Sequence, residues 1–390
     1  MILWLPLLLA CNHADDTAQG DDTSADTPED TGEVEASCHG TPAAADRERV
    51  VVISHPFTAG GQPASDWEAL TLSATGALSA TGQHFAMGSA FMGQVVFTPD
   101  GELGFAVQDD GTVGVLRIDA GQVEVLDAGW SGVYAGQVVV DPSGDRLWVL
   151  NTGWREHGGG VYEVPLSCEG VLGEPRLVVA GKQPMGMTLL PGRSDQAFLG
   201  ARDLGSSAEG DRGHLLDLGG GDVVAGAPAF PDDDAIMAAT AVTSDGLYGL
   251  ISDNSSFSGV PNRVGVVSLG DDAVTAHALL SEVKDAVAMV SSPFDNTVLV
   301  ASGFEDALLT LSEHGGAWQN DGELSYRGGG PQLPSGMVMI ERGSLEGLVL
   351  VAENVAVRSV QFEVGGATDL GAWGLGSGID KVVGAVGVQP

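Results

Sequence analysis

Lysine is nearly missing from this 390-residue chain: only Lys182, Lys284 and Lys381 among 16 Lys+Arg. Set against 53 Asp+Glu, that leaves a formal charge of −37 and a pI near 4.1. Such a field repels phosphate backbones and anionic headgroups, which excludes nucleic-acid binding and electrostatic docking on a membrane. Cysteine is equally scarce. Three residues cannot build a disulfide-held fold, and no Cys/His group has the spacing of zinc ligands. There is no Gly-x-Ser-x-Gly elbow, no Walker loop and no dinucleotide fingerprint in a strand–helix context, which argues against the commonest hydrolase and nucleotide-binding classes. Nor does any stretch of length carry helical periodicity. What is abundant is glycine, 58 residues, spread through short β-rich runs.

The first eleven residues form an apolar run that stops at Cys11. Leu8-Leu9-Ala10-Cys11 resembles a bacterial lipobox, with a small residue before the thiol that would receive the lipid. Ten apolar residues are too short to span a bilayer, which takes about 20, and match the core of a signal peptide instead. No Lys or Arg precedes them. Residues 12–46 hold ten acids and no Lys or Arg, with Thr, Ala, Gly and Pro filling most of the rest. A segment so polar cannot offset its chain entropy by burial, so it reads as an acidic, disordered tether. The expected organisation is a signal peptide over 1–10, the lipidated cysteine and tether over 11–46, and a folded domain over 47–390. The expected location is the bacterial envelope, at the outer membrane or its periplasmic face, with Cys11 as the membrane contact.

From residue 48 the chain repeats with a period of about 49. Gly93-Gln-Val-Val-Phe-Thr-Pro-Asp-Gly101 is followed by Leu103-Gly-Phe-Ala-Val107; Gly136-Gln-Val-Val-Val-Asp-Pro-Ser-Gly144 by Leu147-Trp-Val-Leu150. Proline presets each turn and glycine accepts its positive φ. Third strands recur at Val113–Ile118, Val161–Val164, His214–Leu218, Val264–Val267, Leu308–Leu311 and Val357–Phe362, and poorer fourth strands at Gln122–Leu126 and Arg176–Val179. Alternating apolar residues between regular turns predict four-stranded antiparallel sheets arranged in a ring. The N-terminus supplies only three strands, near 49–54, 67–72 and 83–87, and the C-terminus a lone first strand in 381–390. Joined, they complete a seventh blade, which removes exposed sheet edges. The fold class is therefore an all-β seven-bladed β-propeller, with six or eight blades as the alternatives, expected to be monomeric.

These turns and strands, clearest at Thr98-Pro-Asp-Gly101 and Asp141-Pro-Ser-Gly144, make residues 48–390 resemble the YVTN-type, lactonase-like propellers. The resemblance implies that fold. The family includes sugar-lactone hydrolases, surface modules and many lipoproteins, so its structural motif implies no particular reaction. No lactonase catalytic residue has a matching position here. The leading expectation is a non-catalytic module binding a protein or a small polyol or sugar; the alternative is a divalent-cation-dependent lactone or ester hydrolase.

Second strands end in polar residues that share one face of the ring. Asp109, Asp203, Asp253, Glu305 and Glu353 could place oxygen ligands around a hard cation such as Ca²⁺, and His55, Asn151, Asn254, Asp306 and Asn354 could contact a ligand. The same residues are also ordinary turn formers. In a glycine-rich loop, Trp154 could stack on a sugar and His157 act as a base, or the tryptophan could simply cap packing. Met185, Met187, Met237, Met289, Met337 and Met339 fall on first strands, where filling between blades is the reading favoured over Cu(I) binding. Once Cys11 is lipidated, Cys38 and Cys168 remain as an even pair in an exported chain, and a disulfide between them is expected on the face opposite the polar rim.

Overall fold

The computed structural model describes residues 37–390 apart from 59–60, 153–158, 205–211, 232–236, 255–261 and 375–381. Among the described residues there are 27 strands and no helix. They form seven antiparallel blades. Blade 1 orders Val386–Val388, Arg49–Phe57, Pro63–Leu72 and Leu78–Ala86 from the axis outward. Blade 2 runs through Val95–Phe97, Leu103–Val107, Val113–Asp119 and Gln122–Trp130. Blade 3 contains Gln137–Val140, Arg146–Asn151 and Gly159–Pro165. One long strand, Arg176–Leu190, serves as its fourth strand and then as the first of blade 4, joining the two into one sheet. Blade 4 continues with Arg193–Leu204, Arg212–Asp217 and Asp222–Pro228. Blades 5, 6 and 7 begin at Met237–Val242, Ala286–Ser291 and Gly336–Met339, and each is a separate four-stranded sheet.

The number of blades follows from the packing. Seven apolar clusters alternate with seven blades, each built from two neighbours: Val50, Val52 and Trp67 of blade 1 meet Val95, Ala106 and Leu116 of blade 2. The last cluster joins Val51 and Ile53 of blade 1 to Ile340 and Leu350 of blade 7. Six- and eight-bladed rings are excluded. Second strands lose the polar alternation because both their faces are covered; Thr297–Ser302 and Leu348–Glu353 are buried throughout. Outer strands such as Ala317–Glu323 keep it. Of the first-strand methionines, Met187, Met289 and Met337 are buried in three different clusters, so these three thioethers fill gaps between blades.

Closure pairs Val51 with Val388 and Ile53 with Val386. The Gln389 side chain ties in further, accepting from the Val50 amide at 3.0 Å across 339 positions of sequence. The compact unit begins at Ser37, so the chain joins the propeller ten residues before the boundary at 47 expected from composition. Residues 1–36, with Cys11, lie outside the described residues.

On the face that carries the first-to-second-strand turns, Gly101 and Gly144 adopt φ of +74° and +71°, which any side chain would strain. Aspartates in the equivalent turns staple neighbouring blades. Asp245 of blade 5 accepts from the Asn296 amide of blade 6 at 2.9 Å, and Asp295 of blade 6 accepts from the Gly365 amide of blade 7. Burial pushes both carboxyls up. The hydrogen bonds they receive outweigh it, from Thr243, Leu247 and Asn296 for Asp245, and from Gly365, Thr297 and Ser292 for Asp295, and leave both below the usual range. The unfolded chain therefore takes up protons at a higher pH than the folded one, and stability falls as pH drops below about 4. Urea midpoints at pH 7, 5 and 3.5 measure this. The pair Asp245→Asn and Asp295→Asn should flatten the decline; an unchanged decline would mean that other carboxylates control it.

Candidate functional site

The ends of the second strands and the entrances to the first strands meet on the opposite face, around the channel. Its residues are held by a recurring device. A polar side chain near the end of a second or third strand reaches sideways and ties down the loop that enters a first strand. Asp109 accepts from the Ser89 hydroxyl at 2.6 Å and the Phe91 amide at 2.9 Å, both in the loop entering blade 2. Asp306, in the left-handed region at φ +53°, accepts from the Leu333 amide at 2.7 Å in the loop entering blade 7. Asn354 donates its backbone amide to Gln332 O in that same loop, at 2.8 Å.

Two further rim carboxylates are paired with arginines that the sequence did not single out. Asp253 is fully buried and accepts from Arg263 Nε at 2.9 Å, while the Arg263 guanidinium sits 5.0 Å from the Phe230 ring. Glu353 is buried against Arg358, which also donates to Asp369 at 2.9 Å and to Gly329 O at 2.9 Å. Burial pushes the Glu353 carboxyl up, opposed by Arg358. Both arginines lie on third strands that otherwise read as apolar. Two bases placed there in a chain with only 16 are the signal that could have found them. Glu305 is different. Its head group is 46% exposed and faces Lys284 at 3.5 Å.

His55 lies within the strand Arg49–Phe57, paired with Asp66, rather than just past a strand ending near 54. It is fully buried, its Nε2 3.2 Å from Glu68 and its Nδ1 3.3 Å from Val382 O. Glu68 had no role in the sequence reading. Asn151 ends the second strand of blade 3, and Asn254 follows that of blade 5. Trp154, His157 and the side chains of Asp203 and Met237 lie outside the described residues.

Asp109, Asp253, Glu305 and Glu353 do not converge. Among the described residues, the one His/Cys/Asp/Glu group with ligand atoms within 4.8 Å of one another is His39, Asp100 and Glu102, on the other face. Each of those four rim carboxylates is instead engaged by a partner in its own blade or in the loop leading into it. Also on that other face, Cys38 and Cys168 form a disulfide with Cα atoms 5.5 Å apart.

No protein-family model matches the chain, and comparison with curated proteins finds no match. Solved structures do match. The periplasmic gluconolactonase PpgL of Pseudomonas aeruginosa superposes with a TM-score of 0.62 at 14% identity, over 88% of this chain and 99% of that one. A Bacteroides uniformis protein to which 6-phosphogluconolactonase activity is ascribed superposes at 0.63 and 13% identity, over 87% and 99%. Hydrazine synthase of Kuenenia stuttgartiensis matches at 0.53 and 11% identity, over 84% and 95%. What the chain shares with these structures is the β-propeller fold, here with seven blades. At these identities the likeness is one of fold.

Proposed function

We propose that the protein is an exported, lactonase-like hydrolase that opens neutral sugar lactones at the channel face of the ring, with Cys11 as its lipid anchor. The observation that carries this reading is the superposition on a periplasmic gluconolactonase along nearly the whole length of both chains. A disulfide supports an oxidising compartment. The charge of −37 favours neutral substrates, because an anionic lactone would meet a repulsive field. At the channel face, Glu305 offers an exposed carboxylate beside Lys284, whereas Asp253 and Glu353 are buried against arginines.

Proton release from D-glucono-δ-lactone by the full chain tests this. Hydrolysis should exceed the buffer rate, and kcat/KM should exceed that for the 6-phosphorylated lactone by at least tenfold. Glu305→Gln should lower kcat/KM tenfold or more with an unchanged melting temperature. Loss of turnover in EDTA, restored by Ca²⁺, would add a cation to the mechanism; turnover indifferent to EDTA would remove it. Turnover at the buffer rate with either lactone would overturn the enzyme reading and leave a non-catalytic module that binds a sugar or a protein.

A further inference from the structure

The face opposite the channel mouth carries a constellation unrelated to the hydrolase reading. His39 is 4% exposed, pinned there by the neighbouring disulfide. Its Nε2 lies 3.1 Å from Cys168 O and its Nδ1 2.7 Å from Asp100 Oδ2, with Glu102 Oε2 at 3.9 Å from the same nitrogen. Both ring nitrogens thus face acceptors. A neutral imidazole has one N–H and can serve only one of them. If Nε2 donates to the carbonyl, the Nδ1 lone pair points at a carboxylate, an arrangement that a positive charge between them resolves. Metal-bound histidines are held in this way, with the second ring nitrogen donating to a backbone carbonyl.

Asp100 is prepared for the same role. Its Oδ1 accepts from the Thr98 hydroxyl at 2.6 Å and from the Glu102 amide at 2.9 Å, leaving Oδ2 toward His39. Around an ion with ligands at about 2.1 Å, donor atoms stand about 3 to 4 Å apart; here Nδ1 lies 2.7 Å from Asp100 Oδ2 and 3.9 Å from Glu102 Oε2, so a small side-chain adjustment would seat one. A cavity of about 350 Å³ opens beside Asp100 and Glu102, and its lining holds four carboxylates against two guanidiniums. That gives a cation a route in. The buried His55–Glu68 pair also has a carbonyl on one nitrogen, but both its side chains are enclosed and, among the described residues, no third ligand joins them.

We propose that His39 Nδ1, Asp100 and Glu102 bind one divalent cation of the zinc or manganese type, which cross-links the segment after Ser37 to the first turn of blade 2. Imidazole in the ligand set selects such metals over Ca²⁺ and Mg²⁺, which prefer oxygen alone. Calorimetric titration of ZnCl₂ into full-length protein stripped with EDTA tests the site without reference to activity. One saturating equivalent should bind with Kd at or below about 10 μM, an affinity of roughly −7 kcal/mol. His39→Gln and Glu102→Gln should each weaken it tenfold or more. Glu102 is 67% exposed, so its substitution leaves the fold intact. Glu305→Gln, on the channel face, should leave the affinity unchanged. No saturable binding would overturn the proposal, meaning that a proton alone holds the pair together. Equal affinity in wild type and Glu102→Gln would overturn it too, as would a loss confined to Glu305→Gln.

Discussion

Replacing Cys38 and Cys168 together by serine should lower the unfolding free energy by about 4 to 5 kcal/mol and the melting temperature by roughly 6 °C. The cross-link spans 130 positions of sequence, so the loop it closes takes in blade 2 and most of blades 1 and 3. In the unfolded chain that closure removes a large share of conformational entropy, while in the folded chain the two ends are already held side by side. The cost should appear in urea midpoints of the wild type with and without reductant, and the double serine variant should be indifferent to reductant. Reduced and oxidised wild type unfolding at the same midpoint would show that the bond contributes no stability.

Arg358→Met should cost about 3 to 5 kcal/mol, because it leaves the buried carboxylates of Glu353 and Asp369 without a counter-charge. The pH dependence should also change sign in part of the range. Burial already holds the Glu353 carboxyl above its usual value, and losing the guanidinium raises it further. The folded variant then keeps a proton that the unfolded chain gives up. Its stability should fall as pH rises from about 4.5 toward neutrality, opposite to the low-pH decline assigned to Asp245 and Asp295. Adding Glu353→Gln and Asp369→Asn should recover most of the loss, since no buried charge then remains unpaired. Denaturation at pH 5 and pH 7.5 distinguishes these outcomes. A single variant equally stable at both would sink the assignment.

The strands were legible because each propeller blade exposes its fourth strand and buries its second, and that difference is written in the spacing of valines and leucines. Closure was legible because one terminus had a strand to spare and the other lacked one. His55 was misread for a specific reason. Pro56 after it signals a break, yet the strand continues to Phe57 through an irregularity in register, where a missing N–H is tolerated. Composition placed the end of the tether at 46 because residues 37–46 are small and polar and carry one acid, Asp46, whereas the disulfide and His39 that hold part of this stretch to the propeller have no local signature.

At the channel face the sequence showed which positions were polar and could not show which way they turned. Asp109 and Asn354 look alike in a strand-end pattern, and only the fold reveals one anchoring a loop by its carboxylate and the other by its backbone amide. The His39 group was invisible for a related reason. His39 stands 61 positions from Asp100, beyond the reach of any local spacing rule, and the fold brings them together.

Ring closure also sets an order of events. Blades 2 to 7 are each made of contiguous sequence and can assemble as the chain becomes available, whereas blade 1 waits for Val386–Val388. Until those residues arrive, Val51, Val52 and Ile53 present an open strand edge, and the clusters that flank it are incomplete. A ribosome or a translocation pore feeding this chain N-terminus first therefore releases an unsealed ring until Val386–Val388 has emerged. The interval before sealing is when the protein is most exposed to chaperones, proteases and its own copies.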